Sequence, residues 1–174
     1  MAEHGTTRFE QVILPHLDDA YTLARYLLRD QHDAQDAVQE SVLRALRYFE
    51  GFRGEDARAW LLTIVRNYCF TWKKGRSVDR STVPFTDDET IEIADVQATD
   101  DLAIQSSESE RIQAAVDALP AELKEVIVLR ELSELSYREI SEVVGIPIGT
   151  VMSRLSRARN RLADALGADS RKAS

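Results

Sequence analysis

The chain has 174 residues, of which 44% are hydrophobic and 30% charged, with few Gly and Pro residues and a net charge of -8. This length allows one ordinary domain or two small ones, and the composition favours a soluble, helix-rich protein. No apolar run approaches the roughly 18 to 20 residues of a membrane span, and the N-terminus lacks the pattern of a signal peptide, so we expect no membrane insertion and a cytoplasmic location.

The reactive side chains of the sequence form no recognisable site. Cys69 is the single cysteine, which excludes an intrachain disulfide, and the three histidines have no metal-ligand spacing with it. We find neither a nucleophile paired with a base nor a phosphate-binding glycine loop. The sequence therefore predicts no catalytic residue, no metal, no cofactor and no small-molecule substrate.

A first helical unit is predicted over residues 9–76. Pro15 marks a kink or restart in its first apolar pattern, and Asp33 is predicted to cap a helix that runs to about Tyr48. The apolar stripe of that helix is Ala34, Val38, Val42, Ala45 and Phe49. A glycine-bearing loop at 48–56 then precedes a helix at about 57–72, which is predicted to bury one aromatic-rich face.

The acidic charge of the chain is concentrated in residues 86–110. This segment contains nine Asp or Glu and no Lys or Arg, so without it the remaining chain has a net charge of +1 instead of -8. Pro84 precedes this segment and its end is polar, so we predict that it is a linker between two units. As a solvated tether it needs no partner, because charge repulsion keeps it extended.

The second helical unit, at 111–166, ends in a helix-turn-helix pattern. The sequence "SYRE" is a capping box, in which Ser136 and Glu139 bond each other's backbone N–H groups. The helix that it starts ends at Gly145, and another helix begins at Gly149 or Thr150. Two helices around a tight glycine turn are typical of DNA-binding units, although the motif alone does not define the class of regulator.

The final helix separates an apolar arc from a polar one. Val151, Leu155, Ala158 and Leu162 share the arc that packs inward, whereas Ser153, Ser156, Arg157 and Asn160 lie opposite, with Thr150 at the edge. Hydroxyl, amide and guanidinium groups bond phosphates and base edges. Arg154, Arg159 and Arg161 flank the apolar arc and suit phosphates or intraprotein ion pairs. A merely solvated amphipathic helix is the alternative, but the capping box and glycine turn favour DNA binding.

Two long blocks resemble one bacterial family. The segment "ALPAELKEVIVLRELSELSYREISEVVGIPIGTVMSRLSRARNRL" resembles the C-terminal DNA-binding domain of extracytoplasmic-function (ECF) sigma factors of the sigma-70 family. The segment "DAQDAVQESVLRALRYFEGFRGEDARAWLLTIVRN" resembles their N-terminal domain, through its D-x-x-Q-E and W-L-x-x-I-x-x-N cores. The resemblance implies an all-α protein with sigma region 2 at 1–76, an acidic linker at 77–110, region 4 at 111–166 and a disordered tail at 167–174.

The resemblance also implies contacts with core RNA polymerase and with DNA. The outward face of the helix at 33–48 would bind polymerase, with Asp36, Gln39 and Glu40 on the clamp helices of its largest subunit. An exposed leucine beside carboxylates suits a protein interface, and the alternative is a charged surface with one stray leucine. The full predicted polymerase-binding set is Asp36, Gln39, Glu40, Leu43 and Arg47.

Recognition of the minus-10 promoter element is assigned by resemblance to the loop at 48–56 and the helix after it. Residues 53–80 carry a net charge of +4, which suits single-stranded DNA, and the loop would trap a flipped base. Asn67 matches a recurrent family position and is either structural or a DNA contact. The predicted minus-10 set is Phe49, Phe52, Arg53, Arg66, Asn67, Lys73 and Lys74.

The last helix would bind the minus-35 element in the major groove. Relatives commonly have Lys or Arg after the T-V pair, where this chain has Met152. Arg157 is our choice for a base-edge contact, and the substitution of Met152 by Arg should change minus-35 affinity. The predicted minus-35 set is Thr150, Met152, Ser153, Arg154, Ser156, Arg157 and Asn160.

The predicted function is that of a promoter-specificity subunit. Its partners would be core RNA polymerase, promoter DNA and an anti-sigma protein, and its acidic linker would follow polymerase channels that later hold RNA. The alternatives are an autonomous helix-turn-helix regulator with a dimerisation or ligand domain, and a nucleic-acid enzyme with converging acidic metal ligands. Cys69 could sense redox state, although a lone helical cysteine is usually a packing residue.

Overall fold

The computed structural model describes residues 2–80 and 100–172, and within these ranges all regular structure is helical. The predicted all-α fold is confirmed. The helices are α1 (Ala2–Ile13), α2 (Leu17–Leu28), α3 (Gln31–Tyr48), α4 (Ala57–Arg80), α5 (Asp100–Asp117), α6 (Ala121–Glu131), α7 (Tyr137–Val144) and α8 (Ile148–Lys172). Short 3-10 turns occupy Leu14–His16 and Phe49–Gly51.

Local sequence signals explain the boundaries of α2 and α3. Pro15 lies in the 3-10 turn that separates α1 from α2, as the predicted restart requires. Arg29 then ends α2 in the left-handed conformation, with φ at 63° and its amide bonded to the Arg25 carbonyl. The predicted cap of α3 was wrong by three residues. Asp30 is the cap, because its backbone is extended and its carboxylate accepts the Asp33 N–H at 2.9 Å.

The buried face of α3 is lined by small side chains. Ala34, Ala37, Ser41 and Ala45 are buried, and the Ser41 hydroxyl donates to the Ala37 carbonyl at 2.6 Å. Val38 and Val42, which the sequence placed in the buried stripe, are only half-buried. Alanine and serine allow close approach of the neighbouring helices, so the seam follows these small residues and leaves the two valines at its margin.

The second unit contains the predicted helix-turn-helix, formed by α7 and α8. Both bonds of the capping box are present, since Ser136 accepts from the Glu139 N–H and Glu139 accepts from the Ser136 N–H. Gly145 ends α7 with φ at 75°, a conformation that a residue with a Cβ adopts at an energetic cost. The inward arc of α8 is confirmed at Val151, Leu155 and Ala158, which are all buried.

Three helices extend beyond the predicted domain boundaries. The α4 helix reaches Arg80 and α5 begins at Asp100, so both enter the segment 77–110 that the sequence assigns to a linker. The α8 helix reaches Lys172, within the segment 167–174 that the sequence assigns to a disordered tail. None of these ends contains proline, the residue that most strongly opposes a helix. Most of the acidic segment, residues 81–99, lies outside the described residues, and the division into domains stays a prediction.

The two helical units pack against each other through α2 and α4 on one side and α6 and α7 on the other. The Tyr26 hydroxyl bonds the Gln113 side-chain oxygen at 2.9 Å, and the Arg29 guanidinium donates to the Asp117 carbonyl. Lys124 is buried nearby, and burial, together with the charge of Arg29, lowers its pKa to about 8. The interface therefore contains polar and charged contacts, and Lys124 is a charged residue buried beside them.

Candidate functional site

The outward face of α3 presents the predicted polymerase-binding residues at the surface. Asp36, Gln39, Leu43 and Arg47 are exposed, and Glu40 is partly exposed and paired with Arg44 at 3.3 Å. Leu43 has 51% of its surface exposed and lies among these charged and polar side chains. The helix thus offers a combined acidic and apolar surface.

An apolar groove runs beside this surface, between α2 and α3. It has a volume of about 310 Å³, and its walls include Leu17, Tyr21, the half-buried Val38 and Val42, and the predicted contacts Gln39 and Leu43. The two half-buried valines, Val38 and Val42, therefore line this groove. An apolar depression bordered by polar side chains is typical of a protein interaction site.

The predicted minus-10 loop is built on a cluster of aromatic rings. Phe49 is buried, with its ring edge-on to Phe9 at 5.2 Å, and Phe52 lies 4.7 Å from the Trp60 ring. Asp56 caps α4 by accepting the Ala59 N–H at 2.9 Å. Phe49 and Phe52 consequently support the loop from within, whereas Arg53 is exposed.

A cavity of about 660 Å³ opens over this loop. One wall consists of residues 51–56 together with Ala59, Trp60 and Thr63 of α4, and the other consists of Arg138, Glu139 and Glu142 of α7. The cavity has the mixed aromatic and polar lining that could receive a base. In this arrangement the second unit contributes the carboxylates of Glu139 and Glu142 together with the guanidinium of Arg138, which lies 3.4 Å from Glu142.

The predicted minus-10 residues of α4 differ in their surroundings. Asn67 and Lys74 are exposed, and Lys73 is partly buried, with its pKa lowered by that burial and by the charge of Arg29. Arg66 is engaged elsewhere. Its guanidinium forms two bonds with the Glu125 carboxylate, at 2.7 and 3.2 Å, and stacks over the Phe70 ring at 4.4 Å.

The predicted minus-35 residues lie mostly on the exposed arc of α8. Ser153, Ser156, Arg157 and Asn160 are exposed, Thr150 is partly buried at the start of the helix, and Met152 has 53% of its surface exposed. Within the part of the chain that the structure describes, Arg157 has no ion-pair partner. The face that α8 turns away from its own domain is thus available to another molecule.

Arg154 and Arg159, which flank the apolar arc, form ion pairs within the protein. Arg159 contacts Glu131 at 2.9 Å. The Arg154 side chain is only 16% exposed and lies 3.7 Å from Glu125 and 3.8 Å from Glu122. Of the two roles that the sequence left open for these arginines, phosphate contact and internal pairing, this conformation shows internal pairing.

Glu125 is the central residue that the sequence analysis missed. Its side chain has no exposed surface and lies between Arg66 of the first unit and Arg154 of the second. Burial raises the pKa of Glu125, and the hydrogen bond and charge of Arg66 partly offset that effect. The available signal was a glutamate within the apolar run "EVIVL", where a solvated carboxylate is out of place.

Arg58 makes a second charged connection between the units. Its guanidinium donates to the Ser133 carbonyl at 3.1 Å and lies 3.3 Å from Glu139 and 3.7 Å from Asp19. Burial opposes the ionisation of Glu139, but hydrogen bonds from Ser136 and Arg58 lower its pKa overall. The glutamate that closes the capping box of α7 therefore also holds α7 against α4.

Among the described residues we find neither a metal-binding group of side chains nor a membrane-spanning helix. No group of three His, Cys, Asp or Glu side chains within residues 2–80 and 100–172 is arranged to hold a metal ion. None of the helices in these same ranges is both long and apolar enough to cross a membrane. Cys69 is buried, and burial raises the pKa of its thiol to about 12.

Comparison with known proteins assigns both helical units to one family. Residues 12–77 match the model of sigma-70 region 2, and residues 109–162 match that of sigma-70 region 4. The ECF RNA polymerase sigma-E factor of Haemophilus influenzae is 39% identical over 148 residues, covering 80% of this chain and 77% of the relative. The ECF RNA polymerase sigma factor SigE of Mycolicibacterium smegmatis is 31% identical over 158 residues, covering 91% of this chain but only 61% of the relative.

Solved structures show the same fold over nearly the whole chain. The sigma factor RpoE of Bartonella quintana, crystallised with the anti-sigma factor NepR, is 33% identical, with a TM-score of 0.69 and coverage of 93% of this chain and 98% of that one. CnrH, solved in complex with the cytosolic domain of CnrY, has a TM-score of 0.66 at 24% identity, covering 94% of this chain and 90% of that one. The second likeness concerns the fold alone.

Proposed function

This chain belongs to the sigma-70 family, in its extracytoplasmic-function (ECF) group, and from that premise we propose that it directs core RNA polymerase to specific promoters and initiates transcription there. The observation that carries this proposal is the exposed arc of α8. Four polar residues of this arc are exposed, and they follow a capped helix and a glycine turn, which is the arrangement of a recognition helix: Ser153, Ser156, Arg157 and Asn160. We assign this arc, with Thr150 and Met152, to the minus-35 element.

The polymerase contact is proposed on the outward face of α3. Its charged residues Asp36 and Glu40 surround the exposed Leu43, and the apolar groove beside them offers room for side chains of a partner. Clamp helices of the polymerase would lie along this surface.

The minus-10 contact is proposed at the cavity over residues 51–56, with a melted base entering beside Trp60. The exposed Arg53, Asn67 and Lys74 would hold the backbone of the single strand. In the arrangement described above, α7 closes one side of this cavity, so the units have to separate before the strand enters.

Sigma factors are transcription initiation factors, and we propose that this chain likewise performs no catalysis of its own and needs no cofactor or small-molecule substrate. It would act in the cytoplasm, where bacterial polymerase and DNA are found. We also propose control by an anti-sigma protein, which is supported by the Bartonella relative, since that sigma factor was crystallised with NepR.

Reconstitution with core RNA polymerase tests the proposal directly. The purified chain and core enzyme are mixed with a pool of random promoter fragments, and bound or transcribed sequences are enriched over several rounds. We expect two sequence elements to be enriched, separated as the minus-35 and minus-10 elements of a promoter are, and only when both proteins are present. Tight duplex binding by the chain alone, with no association with core enzyme, would instead indicate an autonomous regulator.

Charge reversal on α3 tests the polymerase interface. We expect Asp36→Lys with Glu40→Lys to weaken core binding by at least about tenfold, because two favourable charge contacts become repulsive. Helix content should stay unchanged, since Asp36 is exposed and the ion pair that Glu40 loses with Arg44 is a surface pair. The exposed Glu50→Lys, outside this face, is the matched control, and unchanged core affinity of the double variant would contradict the assignment.

A further inference from the structure

The first helix of the chain packs against the predicted minus-10 loop. Phe9 of α1 is buried with its ring edge-on to Phe49 at 5.2 Å, and the Arg8 guanidinium lies over the same ring, 5.5 Å from its centre. Arg8 precedes the segment 12–77 that matches sigma-70 region 2. The family match therefore assigns no role to this arginine.

Phe49 connects Arg8 to the minus-10 cavity. Its ring is stacked on that of Phe52, with centres 6.0 Å apart and an interplanar angle of 17°, and Phe52 lines the cavity beside Trp60. The two separations of 5.5 and 6.0 Å place the Arg8 guanidinium within two ring spacings of the cavity wall. A strand with one base in the cavity continues past the loop on both sides, and a long arginine side chain at this distance can reach a flanking phosphate.

The lining of the cavity is poor in the positive charge that a strand of phosphates requires. Among the described residues of the first unit that line it, Arg53 is the one cation, whereas Glu55 and Asp56 are acidic. Single-stranded DNA is held by positive charge that follows its backbone. A second cation close to this loop would supply what the lining lacks.

Arg8 has the properties of a phosphate ligand. It is exposed, and no carboxylate pairs with it among the residues whose side chains the structure describes. The contact with Phe49 orients the guanidinium, so little side-chain freedom is lost when it binds an anion. The charge of Arg8 is thus both available and directed.

We propose that Arg8 binds a backbone phosphate of the melted strand beside the base that enters the minus-10 cavity, so that α1 forms part of the single-stranded DNA site. This inference rests on the proposed function, which assigns the cavity to the minus-10 element. Arg8 and Arg53 hold the strand at two points around the aromatic cluster. A phosphate contact of this kind positions the strand without reading its sequence.

Pre-melted promoter fragments test the contact without the melting step. Their non-template strand is left unpaired across the selected minus-10 sequence, and in each fragment a methylphosphonate replaces one phosphate and removes its charge. We expect Arg8→Gln to weaken holoenzyme binding to the unmodified fragment about tenfold, because one charge-assisted contact is lost. Neutralising one phosphate next to the cavity should weaken the parent by the same factor and have no further effect on Arg8→Gln.

Two further variants serve as matched controls. Arg8→Lys keeps the cation and should retain most of the affinity. Arg44 lies over the Tyr68 ring at 5.0 Å, which is an arginine–aromatic contact of the same kind, but it does not belong to the cavity lining. Arg44→Gln should therefore respond to every neutralised phosphate as the parent does. Equal losses for Arg8→Gln and the parent at every neutralised phosphate would refute the contact.

Binding to core polymerase separates this inference from the proposed function. Without DNA, Arg8→Gln should bind core enzyme as tightly as the parent, and a loss at this step would overturn the phosphate contact in favour of a polymerase contact. If holoenzyme binds pre-melted promoters while Arg8 couples to no phosphate, the inference fails and the sigma function stands. If the chain binds no core enzyme but binds the single strand alone with the Arg8 coupling, the inference stands and the sigma function fails.

Discussion

Replacement of Arg157 by alanine should impair minus-35 recognition while leaving the fold intact. The Arg157 side chain is exposed and, among the residues that the structure describes, it has no ion-pair partner, so its removal breaks no ion pair there. Surface substitutions of this kind change the free energy of unfolding by less than about 0.5 kcal/mol. A lost arginine contact to a base edge, in contrast, costs about 1 to 3 kcal/mol of binding free energy, which is about 5- to 150-fold in affinity.

The assay compares the reconstituted holoenzyme on an enriched promoter and on variants with each minus-35 base pair replaced. For Arg157→Ala we expect lower affinity for the preferred promoter and a loss of discrimination at one or two positions only. Arg161→Ala, which removes an exposed arginine of the same helix for which the sequence left phosphate contact or internal pairing open, is the control. It should weaken all sequences alike and reduce the salt dependence by about one phosphate contact. If Arg157→Ala behaves in the same uniform way, base contact by this residue is refuted.

Three other changes test the remaining assignments. Met152→Arg should strengthen minus-35 binding and increase its salt dependence, since Met152 is exposed near the start of α8 and a cation there would add a phosphate contact. Unchanged filter-binding affinity across a salt series would contradict the placement of this end of α8 in the groove. Ser136→Ala should lower the free energy of unfolding by about 1 kcal/mol in urea titrations, because the capping box is lost. Ser156→Ala, the same substitution on an exposed helix face, should have almost no effect. Equal stabilities of the two variants would contradict the role of the cap. Folded protein should resist thiol reagents at neutral pH, because the thiol of Cys69 is buried and its pKa is raised to about 12. Since this pKa is higher than that of the unfolded chain, the free energy of unfolding should fall as pH rises from about 9 to 12. A Cys69→Ala variant should lack that part of the loss.

Features encoded by neighbouring residues were predictable from the sequence. The capping box at Ser136, the glycine stop at Gly145 and the inward arc of α8 each follow from a short pattern of residue types, and the structure has all three. The same reasoning erred by three residues at the cap of α3, where Asp30 and Asp33 are both suitable and only backbone geometry decides between them. Helix ends were underestimated in α4 and α8, which continue through Gly75 and Gly167 although glycine commonly ends a helix.

Contacts between distant parts of the chain were not predictable in this way. Periodicity places Arg66 on an outward face of α4, which is correct for the first unit alone, and nothing in the local pattern shows that α6 covers that face. The partial exposure of Val38 and Val42 has the same origin, because the small residues Ala37 and Ser41 determine where the neighbouring helices come closest. Tertiary packing thus decides which of the predicted contact residues are exposed and which are covered.

The separation between the two arcs of α8 has a consequence for how such a protein diversifies. Val151, Leu155 and Ala158 hold the helix in its domain, while Ser153, Ser156, Arg157 and Asn160 project away from that core. Substitutions on the outer arc therefore carry almost no penalty for stability, so they accumulate freely after gene duplication. A bacterium can in this way obtain a set of sigma factors with different promoter preferences from one inherited scaffold, without first acquiring a compensating mutation elsewhere.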